Sequence, residues 1–166
     1  HGDIILSAPR LKSGRVRFKF PSVGATENLM MAAAATPGAI VIDNAAREPE
    51  IEDLADFLTK LGARVSGAGT SRIKVSGRVA LKGARHAVIP DRIETGTFLL
   101  ACAAAGGRLA LKGARSRDLT ALIAKLRAAG AKVKEGRDGL DVSMSGRPKP
   151  VSVETRPHPG FPTDLQ

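Results

Sequence analysis

The sequence predicts an α/β protein built from two copies of one βαβαββ unit, with helices in the middle and sheets outside. Three observations carry that prediction. A helix-period apolar pattern occurs twice at the same spacing, two further segments are apolar nearly all round, and glycine-bounded strands follow in the same order each time. Such a repeat is read before any single residue, because it sets the architecture into which the residues fall.

The repeated pattern is Ile51, Leu54, Ala55, Leu58 and Leu61, matched by Leu119, Leu122, Ile123, Leu126 and Ala129. Spacing of i, i+3, i+4, i+7 and i+10 places each set on one face of an α-helix. Each copy ends in a Gly-Ala step, Gly62-Ala63 and Gly130-Ala131, where glycine takes the left-handed conformation that closes a helix. Strands through Val65 and Val133 come next. Upstream of each amphipathic helix lies an alanine-rich one, Thr26 to Thr36 and Ile93 to Ala105. A helix apolar on every side is expected to be buried on every side. Asp91 is placed to cap the second of these, with Glu94 three residues on and Pro90 stopping the strand before it.

Glycine ends both alanine-rich helices, at Gly38 and Gly106-Gly107, and the strands Ala39 to Ile42 and Arg108 to Leu111 follow. Gly67-Ala68-Gly69-Thr70 and Gly136-Arg137-Asp138-Gly139 read as the hairpin turns that close each copy. The units therefore run from Arg15 to Gly77 and from about His86 to Gly146, each opening on a strand. Strands with one wet and one dry face, set around helices that are dry all round, pack best with the sheets outside. That inverts the usual arrangement, in which helices cover both faces of a sheet. A third unit, or residues 1–9 with further elements, is needed to cover the inner helices.

A chain of 166 residues with 43% hydrophobic content is long enough to bury a core and too apolar for disorder. The net charge of +10 raises the possibility of a nucleic-acid partner. The cations are dispersed, however, and Arg15-Val16-Arg17-Phe18-Lys19-Phe20 alternates them with apolar residues as on the wet face of a strand. With no Trp or Tyr to stack bases, a solvated sheet face is the better reading, and no nucleic-acid partner is expected. The longest apolar runs, Leu29 to Ala35 and Phe98 to Ala105, are far short of the roughly 20 residues that span a membrane, and the opening residues do not read as an export leader, so neither a membrane span nor export is expected. A single cysteine, Cys102, fits a reducing compartment, so a cytoplasmic protein is expected. His1 and Gln166 read as cuts in a longer protein.

Four runs resemble, in order and at the right intervals, the UDP-N-acetylglucosamine enolpyruvyl transferase family. They are Ser22-Val23-Gly24-Ala25-Thr26, Asn44-Ala45-Ala46-Arg47-Glu48-Pro49-Glu50-Ile51, Pro90-Asp91-Arg92-Ile93-Glu94-Thr95-Gly96-Thr97, and Pro157-His158-Pro159-Gly160-Phe161-Pro162-Thr163-Asp164-Leu165-Gln166. The resemblance implies an inside-out α/β barrel, or prism, of βαβαββ units. Residues 1–150 then form most of one barrel domain, and residues 151–166 cross toward a second domain. It also implies transfer of the enolpyruvyl group of phosphoenolpyruvate to the 3-hydroxyl of UDP-N-acetylglucosamine, a step of peptidoglycan synthesis. Such chemistry needs a base at the hydroxyl, an acid at the vinyl carbon, and cations for phosphate and carboxylate.

By that resemblance Asp164 is the sugar-contacting carboxylate and the candidate base, a job that suits a partly buried carboxylate. Read from the residues alone, Asp164 caps a helix starting just beyond it. The resemblance also implies that Ser22-Val23-Gly24-Ala25-Thr26 is the loop over the uridine diphosphate, with Phe20, Pro21, Ser22, Val23, Gly24 and Thr163 as substrate-binding residues. A helix start, with its free amides and positive dipole end, suits a phosphate. The bland alternative is that Ser22 is an N-cap and Gly24 a tight entry. Many relatives carry lysine where this chain has Phe20, which removes one charge contact.

Arg47, Glu48, Glu50, Arg92 and Glu94 sit at helix starts and are expected to be structural. Cys102 reads as a small buried hydrophobe, and His158 as part of a stiff turn. The family's reactive cysteine and its residues for phosphoenolpyruvate lie outside these runs, so the chain alone is expected to be inactive. The remainder of the enzyme is its expected partner. No cofactor is expected, since no metal-ligand cluster or GxxxxGK[ST] motif occurs. An enolpyruvylshikimate-phosphate synthase-like transferase and a non-catalytic, repeat-built binding domain remain as alternatives.

Overall fold

The computed structural model describes residues 2, 3, 5, 7–77 and 80–166. They form two compact units, His1–Ala87 and Val88–Gln166. The first contains β1 (Gly14–Arg17), α1 (Val23–Ala34), β2 (Gly38–Asp43), α2 (Pro49–Leu61), β3 (Arg64–Ser66) and β4 (Arg72–Gly77), the expected βαβαββ order. Its sheet runs β1-β2-β4-β3. The β1–β2 pair is parallel, with Gly14 opposite Ile40, as a crossover through α1 requires. The β2–β4 and β3–β4 pairs are antiparallel.

Alternation decides which face each strand buries. Ile40, Ile42, Ile73 and Val75 point inward onto Met30 and Ala33 of α1 and Ile51, Ala55 and Leu58 of α2. Arg15, Arg17, Arg72 and Lys74 are exposed. The apolar face of α2 is thus the one its periodicity marks, and full burial of Ile42, Ile51 and Ile73 contributes about 1.5–3 kcal/mol for each side chain. Asp43 is the anionic exception at the end of β2. Hydrogen bonds from Arg15 and from Arg72 (2.7 Å) hold its carboxyl at about 2, below the ordinary carboxylate range.

The second unit contains α3 (Arg92–Ala105), β5 (Gly107–Lys112), α4 (Thr120–Ala128), β6 (Lys132–Gly136) and β7 (Gly139–Met144), with an antiparallel sheet in the order β5-β7-β6. Leu99, Leu122, Ile123, Leu126, Val142 and Met144 form its core, joined by Phe161 and Leu165 from the C-terminal segment. Cys102 lies in this core, as expected, with its thiol 3.8 Å from the Val142 carbonyl. The two amphipathic helices end alike. Gly62 (φ 111°) and Gly130 (φ 101°) turn left-handed, and Ala63 and Ala131 donate back to the Leu58 and Leu126 carbonyls at 3.0 and 2.9 Å.

Two expectations are corrected. No strand opens the second unit, because the segment before α3 is tied to the first unit's α2 instead. Lys82 N donates to the Leu61 carbonyl at 2.9 Å. His86, its side chain 8% exposed, places Nε2 3.0 Å from Asp53 Oδ1 and Nδ1 3.0 Å from Lys60 Nζ, with its ring against Phe57. Nor are the alanine-rich helices buried on every side. Within each unit one sheet and one helix cover a single face, and Met31 of α1 and Phe98 of α3 are 48% and 49% exposed. No helix among the described residues is long and apolar enough to cross a membrane.

Candidate functional site

The residues singled out in the sequence fall in two places, Phe20 to Gly24 in the first unit and Thr163 with Asp164 in the second. The first group is the connection from β1 into α1. Ser22 is the N-cap of α1, with extended backbone, and its Oγ accepts from Ala25 N at 3.3 Å. Thr26 N is bonded to the Ser22 carbonyl at 3.0 Å. The cap therefore satisfies the third and fourth amides of the turn and leaves those of Val23 and Gly24 without a protein partner among the described residues. Space above Gly24 is open, with nothing within 4 Å of where a Cβ would stand. Two free amides at the positive end of a twelve-residue helix make a place for an anion. Phe20 is 70% exposed beside it and supplies no charge.

The capping reading of Ser22 is thus correct, and it is compatible with anion binding, because the cap uses other amides. Glu48 is structural at the start of α2, and Arg47 contributes its backbone amide to the same corner. Glu48 is the N-cap residue, 8% exposed, and its Oε2 accepts from Arg47 N at 2.8 Å. Glu27, a residue the sequence did not single out, faces the same corner. Burial, then the nearby carboxylates of Glu50 and Glu48, push its carboxyl above the ordinary range. Asp91 caps α3 as expected, its Oδ1 accepting from Ile93 N (2.7 Å) and Glu94 N (3.2 Å).

In the second unit, Thr163 and Asp164 lie in a 3-10 turn, Thr163–Leu165, between two anchors. Phe161 and Leu165 are 6% and 4% exposed in the core. Arg156 N donates to the Phe161 carbonyl at 2.9 Å, closing the Pro-rich loop that leads into the turn. Apolar residues on either side fix the turn and present Thr163 and Asp164 on the surface, both exposed. The N-cap position of the turn is Pro162, and Asp164 makes no capping bond. The expected partial burial of Asp164 is not supplied by this unit either. Among the described residues its carboxylate has no hydrogen bond or ion pair, which leaves both oxygens available. The same residues include no group of three His, Cys, Asp or Glu side chains placed to hold a metal ion.

A family model described as EPSP synthase (3-phosphoshikimate 1-carboxyvinyltransferase) matches residues 2–166. The chain belongs to this family. It is 52% identical over 168 residues to UDP-N-acetylglucosamine 1-carboxyvinyltransferase 2 of Carboxydothermus hydrogenoformans, covering 100% of this chain and 40% of that protein. It is 53% identical over 162 residues to UDP-N-acetylglucosamine 1-carboxyvinyltransferase of Xylella fastidiosa, covering 97% and 38%. The chain thus spans about 40% of the length of such relatives. The crystal structure of the enolpyruvyl transferase NikO from Streptomyces tendae superposes with a TM-score of 0.81 at 22% identity, over 96% of this chain and 41% of that one. That likeness shows that the chain has the fold of the matching part of an enolpyruvyl transferase.

Proposed function

We propose that the chain is the central part of a cytoplasmic UDP-N-acetylglucosamine enolpyruvyl transferase of peptidoglycan synthesis. The observation that carries the reading is identity near one half, sustained from end to end, to proteins named for that activity. The reaction joins the 3-hydroxyl oxygen of the sugar to C2 of phosphoenolpyruvate while C3 gains a proton. Loss of phosphate and of a C3 proton then restores the vinyl group on the new ether. Asp164 takes the hydroxyl proton, a role supported by a carboxylate held on a fixed turn with both oxygens free. Phe20, Pro21, Ser22, Val23 and Gly24 lie along the uridine diphosphate, supported by the two open amides at the start of α1. Thr163 lies beside the sugar. Residues 151–166 lead toward the second domain, and the reactive cysteine and phosphoenolpyruvate contacts come from the rest of the protein.

Phosphate release by the full-length protein, given phosphoenolpyruvate and one acceptor at a time, tests this reading. Turnover is expected with UDP-N-acetylglucosamine and not with shikimate 3-phosphate. Turnover with the shikimate alone would overturn it. The isolated 166-residue chain is expected to release no phosphate with either acceptor.

A further inference from the structure

Asn44 is the non-glycine residue with a left-handed backbone among those described, at φ 56°. It stands where β2 ends, and its Nδ2 donates to the Phe18 carbonyl at 3.1 Å. Phe18 N in turn donates to the Asp43 carbonyl at 3.1 Å, so the entry to the Phe20–Gly24 loop is tied to this corner by two bonds. The exit is tied to the same corner by Thr26. Its hydroxyl donates to the Ser22 carbonyl at 2.7 Å and accepts from the Ala46 amide at 3.1 Å. Thr26 is 0% exposed and Ala46 1%. A helical threonine commonly bonds the carbonyl four residues back. The second bond, between elements and out of water, is what joins the loop to the Asn44–Ala46 turn.

We propose that Asn44 and Thr26 are positioning residues for the acceptor: together they clamp the Phe18–Ser22 segment onto the β2–α2 turn and so hold the Val23 and Gly24 amides where the diphosphate is bound. This rests on the assignment of that loop to the uridine diphosphate. Thr26 is fully buried and acts through the Ser22 carbonyl, not on the ligand. The left-handed backbone explains why an asparagine serves at 44. Of the non-glycine residues it is among the few that adopt this conformation readily, and it alone adds an amide long enough to reach Phe18. The proposal also gives the Asn44-Ala45-Ala46 part of the family-like run a role apart from the helix start that follows it.

Three substitutions in the full-length transferase test the clamp. Thr26→Val keeps the shape and removes both bonds, and Asn44→Gly keeps the left-handed backbone and removes the amide. Each is expected to raise KM for UDP-N-acetylglucosamine about tenfold, with KM for phosphoenolpyruvate unchanged and kcat within about twofold. Thr26→Ser, which keeps the hydroxyl, restores the acceptor KM. A purely structural role would move both KM values together or neither. Gly24→Val places bulk directly over the open amides and separates the two ideas. If it raises the acceptor KM while Thr26→Val and Asn44→Gly do not, the clamp is wrong and the loop assignment stands. If Gly24→Val also leaves KM unchanged, both fall. Should Thr26→Val not fold, amide hydrogen exchange in Asn44→Gly decides. Exchange about tenfold faster at Ala25 and Thr26, whose amides are bonded to Ser22, supports the clamp, and unchanged exchange there overturns it.

Discussion

Gly96→Ala is a substitution on which two physical effects pull in opposite directions. Gly96 sits inside α3, where alanine is favoured by about 1 kcal/mol on helix propensity alone. A methyl group there would lie 2.5 Å from Leu165 Cδ1 and 3.0 Å from Leu122 Cδ2. Leu122 is 1% exposed in the core and has nowhere to go, so Leu165 must yield. Driving Leu165 out of the core forfeits about 1.5–3 kcal/mol of apolar burial, and strain in the tight contact adds to that. Packing therefore wins by about 1–2 kcal/mol. For a unit of this size the melting temperature falls by about 4–15 °C, followed by circular dichroism. Because Leu165 anchors the turn that carries Thr163 and Asp164, amide exchange at Leu165 and Gln166, the bonded amides of that turn, quickens before the rest of the unit unfolds. A variant that melts higher than the wild type, with that turn's exchange unchanged, would refute the packing argument and leave Gly96 a mere helix defect.

Asp43 sets a pH window. Its carboxyl lies at about 2 in the folded chain against an ordinary 3.8, so the pairing with Arg15 and Arg72 contributes fully above pH 3.8 and is lost as pH falls toward 2. Urea midpoints of the wild type and Asp43→Asn should differ at pH 6 and converge near pH 2, and a gap that stays constant would count against the pairing. Phe20→Lys places a cation beside the start of α1, at a site 70% exposed. It should tighten UDP-N-acetylglucosamine about fivefold, roughly 1 kcal/mol, with thermal stability unchanged, and no gain in affinity would argue that the side chain does not approach the diphosphate.

Local patterns were legible in the sequence because each element's own residues determine it. The i, i+3, i+4 apolar sets of α2 and α4, the Gly-Ala closures and the Asp91 cap are all where periodicity and turn chemistry put them. The opening strand of the second unit was misread, because Ala87-Val88-Ile89 has strand-like residues and nothing local reveals competition for the chain. Lys82 and His86 settle that competition through α2, a contact between residues far apart in sequence. All-round burial of α1 and α3 was inferred from composition, which records that a face is apolar and not whether the same unit covers it. The resemblance singled out Phe20–Gly24 and Asp164 as candidates. It was silent on Glu27, on the Thr26–Ala46 bond and on the reach of Asn44 to Phe18, since these depend on β2 and α1 meeting in space.

The carboxylate at 164 is the group on which the proposed proton transfer depends most directly. In the full-length transferase, Asp164→Asn keeps the shape of the side chain and removes its capacity to take a proton. Equilibrium binding of UDP-N-acetylglucosamine should change by less than about tenfold, while kcat for phosphate release falls by about 100- to 10,000-fold. Turnover of the variant at the wild-type rate would contradict the assignment of the base.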